Sequence, residues 1–246
     1  MLYEVIRDTV KKRKMFALQV DPDKHDRVSL GRLGRAADRH PVDFILVGGS
    51  LVASPIHETV EILKQETTRP VILFPGNILQ ISGNADAIFL LCLISGRNPE
   101  YLIGNHVIAA PLLKKSGLEI IPTGYILVEN GRLTSVEYIS NTKPIPADKV
   151  DLAVATALAG EMLGHRLLYL EAGSGALEPV KTNLVSEVKR NISIPLIVGG
   201  GIQTPAQAKA LYEAGADIIV VGTAFENDEK QLKILSEAAA DYGRES

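Results

Sequence analysis

The sequence predicts a single (β/α)₈ barrel, a parallel sheet of eight strands closed on itself and wrapped in helices. Three observations carry that expectation. Eight short apolar runs alternate with amphipathic stretches, the pattern of repeated βαβ units. The chain has 246 residues, close to the ~250 typical of such a barrel. Small and polar residues follow nearly every run, where this fold collects its functional groups. A doubly wound open sheet is the competing architecture, disfavoured because no strand–GxGxxG–helix unit lies near the N-terminus.

The apolar runs are Phe16–Val20, Phe44–Val47, Val71–Phe74, Ala87–Leu93, Ile120–Val128, Leu167–Leu170, Leu196–Val198 and Ile218–Val221. They are continuous rather than alternating, as strands buried on both faces should be. Helices are expected over Ser29–Asp38, Ile56–Lys64, Pro99–Lys115, Asp148–Leu163, Pro179–Arg190, Pro205–Ala214 and Asp228–Ala240. Thr204-Pro205 reads as an N-cap followed by proline at the first helical position, and Glu178-Pro179 reads the same way. Gly117 and Gly215 read as C-terminal caps. Two irregularities depart from an ideal barrel. The stretch Pro75–Asp86 is too short for a comfortable helix. Asn130-Gly131 inside Ile120–Ile139 is the preferred turn of a β-hairpin, so a hairpin is expected there.

Composition narrows the function. Lysine and arginine total 26 against 29 acidic residues, a net charge of −3, and no extended basic run points to nucleic acid. The short cluster Lys11–Lys14 reads as a solvated helix end. Cys92 is the only cysteine, so an internal disulfide is excluded and a reducing cytoplasm is expected. The opening Met1-Leu2-Tyr3-Glu4 has no charged leader ahead of an apolar core, so no signal peptide is expected. The longest strand-like apolar run is far short of the ~20 residues that span a bilayer. The five histidines show no metal-ligand spacing.

The residues after each run carry the chemistry. Gly199-Gly200-Gly201 and Gly222-Thr223 end the seventh and eighth runs, where barrels of this kind bind phosphate through inward backbone N–H groups. Asp21 and Asp23 follow the first run and suit a hard cation such as Mg²⁺, with Ser50 as an oxygen neighbour. Asp21-Pro22-Asp23 reads equally well as an ordinary capped turn. Glu171 leaves the buried run Leu167–Leu170, placed to act as a general base, and Tyr169 shares its face by the two-residue period. A structural Glu171 bonded to the following glycine loop is the competing reading.

Taken together, Asp21-Pro22-Asp23-Lys24, Gly49-Ser50, Phe74-Pro75-Gly76-Asn77, Tyr169-Leu170-Glu171-Ala172-Gly173-Ser174-Gly175, Val198–Ile202 and Val221-Gly222-Thr223 resemble the geranylgeranylglyceryl phosphate synthase family, which includes bacterial heptaprenylglyceryl phosphate synthases. The resemblance spans essentially the whole chain. It implies a modified barrel in which an extended segment replaces the helix after strand three, matching Pro75–Asp86. It implies ether-bond formation between sn-glycerol 1-phosphate and a polyprenyl diphosphate, with release of pyrophosphate and dependence on Mg²⁺. By that resemblance Asp21 and Ser50 hold the metal. Tyr169, Leu170, Glu171, Ala172, Gly173, Ser174, Gly175, Gly200, Gly201, Gly222 and Thr223 hold glycerol 1-phosphate. Glu171 takes the proton from the attacking hydroxyl, and Tyr101 stands where an aromatic limits the tail channel. Phe89–Ile94, Tyr101–Ile103 and Ile78-Leu79 are candidate groove linings. Gln19 stands where some members carry a phosphate-binding lysine. Assembly into dimers or hexamers and peripheral membrane contact for a lipid product are expected. The alternative is another phosphosugar-binding barrel isomerase or lyase, disfavoured by the absence of lysine in the central strands.

Overall fold

The computed structural model describes residues 1–222 and 229–242. Eight parallel strands close into a barrel: β1 (Met15–Val20), β2 (Phe44–Val47), β3 (Val71–Leu73), β4 (Ala87–Leu93), β5 (Glu119–Leu127), β6 (Leu167–Glu171), β7 (Leu196–Gly199) and β8 (Ile218–Val221). The seam pairs β1 with β8, Met15 opposite Ile218 and Leu18 opposite Val221. Each predicted run is a strand to within a residue or so at its ends. The fold class expected from sequence is the fold observed.

Alternation along the strands sorts the core into two layers. Met15, Ala17, Phe44, Leu46, Phe89, Ile121, Tyr169, Ile197 and Ile218 fill the barrel. Phe16, Leu18, Ile45, Leu168, Leu170, Val198 and Ile219 face outward against the helices. Those helices are α1 (Leu2–Val10), α2 (Arg27–Arg39), α3 (Ile56–Glu66), α4 (Asn105–Ser116), α5 (Ser135–Ser140), α6 (Val150–Met162), α7 (Thr182–Asn191), α8 (Pro205–Glu213) and α9 (Glu229–Tyr242). Among the described residues no helix is long and apolar enough to cross a membrane.

Helix α1 plugs the N-terminal end of the barrel with Tyr3 and Ile6. The Glu119 carboxylate at the start of β5 accepts hydrogen bonds from the Leu2 and Tyr3 N–H groups, the favourable place for a negative charge on a helix. The Lys11–Lys14 cluster follows this helix, as expected. Thr204 and Gln207 form the predicted cap of α8 as a reciprocal capping box.

Three local expectations are corrected. No hairpin forms over 120–139. Asn130-Gly131 does turn the chain, but the following segment becomes α5, because Thr134 caps it by accepting from the Glu137 N–H. Pro179 does not start α7, which begins at Thr182; Val180 stays outside the helix to bury its side chain in the outer core. The predicted helix from Pro99 divides into one π-helical turn, Glu100–Gly104, and α4. Asp228, the expected start of the last helix, lies outside the described residues.

Between β3 and β4 the chain from 74 to 86 forms neither helix nor strand. The outer face of β4, Ile88 and Leu90, is therefore left without a covering helix and opens onto a cavity.

Candidate active site

The C-terminal mouth of the barrel holds two cavities that meet at Gln19, Glu171 and Ser174. The first, about 300 Å³, starts at Asp21, Lys24, Gly49, Ser50, Gly76 and Asn77. It then runs outward between the irregular 74–86 segment and α4, walled by Ile78, Ile81, Leu90, Tyr101, Ala109 and Leu113. One end is polar and the other is aliphatic. The second, about 390 Å³, is rimmed by Ser174, Gly175, Gly200, Gly201 and Gly222. Among the described residues that line it, none is a lysine or arginine.

Glu171 ends β6 at the junction. Its Oε1 accepts a hydrogen bond from the Gly173 N–H at 2.7 Å. Burial pushes its carboxyl up to about 7 against this bond, which alone would pull it down. Beneath it lie three packed rings. Tyr125 stacks on Tyr169 at 5.3 Å between centroids, and Phe74 sits 5.2 Å from Tyr169. Both tyrosine hydroxyls lie near enough to Glu171 to favour its ionised form. Burial raises both phenols well above their ordinary range, so they stay neutral donors. The Tyr169 hydroxyl is fully buried and makes no hydrogen bond of good geometry.

The loops around the mouth are fixed by one buried side chain that the sequence did not single out. Gln80, 2% exposed, accepts from the N–H groups of Gly49 (3.1 Å) and Gly76 (3.3 Å) and donates to the Gly49 carbonyl (2.8 Å). It ties the end of β2 to the end of β3 and so sets Ser50 against Gly76. Tyr125 was also missed, though the inward period of β5 could have found it.

Asp21 and Ser50 line the same polar end, as expected for a shared ligand. Asp23 does not join them. Its carboxylate accepts from the Ala53 and Ser54 N–H groups and anchors the loop after β2. Asp21 caps the short Pro22–Lys24 turn, so the capped-turn reading also holds for this stretch. Glu171 lines both cavities, whereas Tyr169 is fully buried inside the barrel beneath it and lines neither; the Leu170 and Ala172 side chains pack in the outer core, so those two residues offer the site only backbone. Thr223 lies outside the described residues. Of the predicted groove linings, Phe89 instead fills the barrel, and Leu79 and Ile103 are exposed. Cys92 is half-buried, its thiol donating to the Leu102 carbonyl.

A model of the PcrB family matches residues 7–239. The chain belongs to the PcrB family. Relatives within reach of this PcrB-family chain are named geranylgeranylglyceryl phosphate synthase. The one from Spirosoma linguale is 50% identical over 98% of this chain and 97% of its own length. The one from Pyrococcus horikoshii is 46% identical over 95% and 90%. The crystal structure of (S)-3-O-geranylgeranylglyceryl phosphate synthase from Thermoplasma acidophilum, in complex with its substrate sn-glycerol-1-phosphate, superposes with a TM-score of 0.93 at 36% identity. That match covers 98% of this chain and 99% of that one.

Proposed function

We propose that this protein joins sn-glycerol 1-phosphate to a polyprenyl diphosphate, geranylgeranyl diphosphate being the first candidate, through an ether bond. One observation carries the reading. A buried, proton-accepting Glu171 stands where a glycine-rimmed cavity meets an aliphatic groove with a polar head. The relatives' shared name and the glycerol phosphate complex of the Thermoplasma acidophilum protein support it.

The glycine N–H groups of the second cavity suit a phosphate monoester. The glycerol hydroxyl then faces Glu171, with the buried Tyr169 hydroxyl behind that carboxylate. The groove takes the prenyl tail along Ile81, Leu90, Ala109 and Leu113, and sets the diphosphate at Asp21, Lys24 and Ser50. Glu171, ionised, accepts the hydroxyl proton as the new carbon–oxygen bond forms. The allylic carbon–oxygen bond breaks and pyrophosphate leaves with both electrons.

The donor set at the polar end is oxygen-only and sparse. Among the described residues no cluster of three or more His, Cys, Asp or Glu gathers to cage a metal. Such a set fits Mg²⁺, which keeps water and takes much of its coordination from substrate phosphates. Asp21 and Ser50 would hold it, and it would supply neutralising charge to the departing diphosphate. A cytoplasmic enzyme, a dimeric or hexameric assembly and peripheral contact with membrane lipid belong to the same reading. Exposed Ile103, Val107, Ile108 and Leu112 beside the groove give an apolar surface for such contacts.

The test is to incubate the protein with labelled sn-glycerol 1-phosphate, Mg²⁺ and prenyl diphosphates from C15 to C35. Ether-lipid phosphate is expected for at least one donor. No product from any of them would end the proposal, and turnover of a sugar phosphate without donor would favour an isomerase or lyase.

A further inference from the structure

The segment from Asn130 to Thr134, where a hairpin was expected, runs as a strap against the loops that rim the glycine-lined cavity. It touches the surrounding loops at three points. The Asn130 amide donates to the Glu178 carbonyl at 2.6 Å, and that carbonyl packs against Gly201. The Arg132 guanidinium comes within 3.1 Å of where a side chain on Gly175 would begin. The Thr134 methyl lies 2.3 Å from the equivalent point on Gly173. The strap thus rests on Gly173, Gly175 and, through Glu178, Gly201.

Charge makes this placement matter. Among the described residues the cavity's lining includes no cation, and Glu171 is its acid. Among the described residues, a dianionic phosphate there would be met by backbone dipoles and neutral side chains such as Ser174 and Gln203. Arg132 is exposed at the rim and, among the described residues, has no hydrogen-bond or ion-pair partner. A guanidinium held beside an anion site, without a carboxylate to occupy it, is suited to pair with phosphate oxygens through its forked N–H groups.

We propose that Arg132 is a binding residue for the phosphate of the glycerol substrate, reaching it from the strap rather than from the barrel. This rests on the phosphate-site reading above. It assigns the site's positive charge to a residue outside the strand ends, while Lys24 stands at the other cavity's polar head.

The experiment is calorimetric titration of the full chain with sn-glycerol 1-phosphate, comparing wild type, Arg132→Gln and Arg132→Lys. Steady-state KM values for both substrates accompany it. Arg132→Gln should weaken glycerol phosphate binding by about tenfold or more, the scale of a lost charge-assisted hydrogen bond. Its KM for the prenyl diphosphate and its kcat at saturation should stay within about twofold, and Arg132→Lys should recover part of the loss. Affinity in Arg132→Gln within about twofold of wild type would overturn the inference. So would equal rises in both KM values, or no recovery with lysine. If the wild-type protein itself fails to bind sn-glycerol 1-phosphate, the phosphate-site reading has failed, an outcome plainly different from an Arg132-specific failure.

Discussion

Gly200 stands so close to Glu171 that a Cβ built on it would lie 2.4 Å from Oε1. Its φ of +84° is a conformation that side chains rarely adopt. The same Cβ would meet the Gly173 N–H, which holds that carboxylate oxygen, at 2.8 Å. Gly200→Ala should therefore displace the base and its bond together. We expect kcat/KM to fall by about 10²-fold or more and stability by roughly 1–3 kcal/mol. An alanine variant with ordinary kinetics would show that the carboxylate position is not critical.

Glu171 should govern the acid side of the pH–rate profile. With its carboxyl at about 7, kcat/KM should rise with pH and level off above neutrality. Glu171→Gln should lower the rate by about 10²- to 10⁴-fold. Tyr169 favours the carboxylate, so Tyr169→Phe should move the rise to higher pH. A rise that stays in place in Tyr169→Phe would remove that influence.

The same burial has a stability signature of defined sign. Glu171 is raised from its ordinary 4.5 to about 7, so its contribution is fully present below pH 4.5 and is lost as pH climbs through 7. At ~1.4 kcal/mol per pH unit the loss is of the order of 3 kcal/mol. Glu171→Gln cannot ionise. Its melting temperature should match wild type near pH 4.5 and exceed it above pH 8, without ligands. Parallel melting curves across this range would contradict the buried, uncompensated carboxyl.

Gln80 makes three hydrogen bonds to two loops from a buried position. Gln80→Ala leaves those backbone groups unpaired and should cost about 2–4 kcal/mol. Because it sets Ser50 against Gly76 at the polar end of the groove, the KM for the prenyl diphosphate should rise more than that for glycerol phosphate. Equal effects on both substrates would reduce Gln80 to a stabilising residue.

Ala109 faces the middle of the groove from α4. Ala109→Phe should fill part of the cavity and shift preference toward shorter prenyl donors, measured across C15 to C35. An unchanged chain-length profile would place the tail elsewhere.

Much of this was readable from residues alone. The strands were legible because runs such as Phe44–Val47 and Ile218–Val221 are buried on both faces and carry no competing pattern. Glu171 was legible because a carboxylate directly after four buried residues has few other uses. The strap was not. Asn130-Gly131 signals a hairpin locally, but the Thr134–Glu137 cap that follows wins, and only the fold shows which loops it crosses. Gln80 was invisible for a related reason: its partners are the backbones of Gly49 and Gly76, and backbone contacts leave no residue-type signature. Tyr101 was flagged through family likeness, and its place on the groove wall comes from the π-helical turn.

The missing helix after β3 gives the barrel an unfinished wall. In an ordinary barrel Leu90 would be shielded permanently by the chain's own side chains, whereas here it is only partly buried. Under the proposed function the shield here is a hydrocarbon that arrives and departs with each turnover. On that reading the substrate tail is a temporary piece of the hydrophobic core, and each catalytic cycle assembles and dismantles part of the protein's interior.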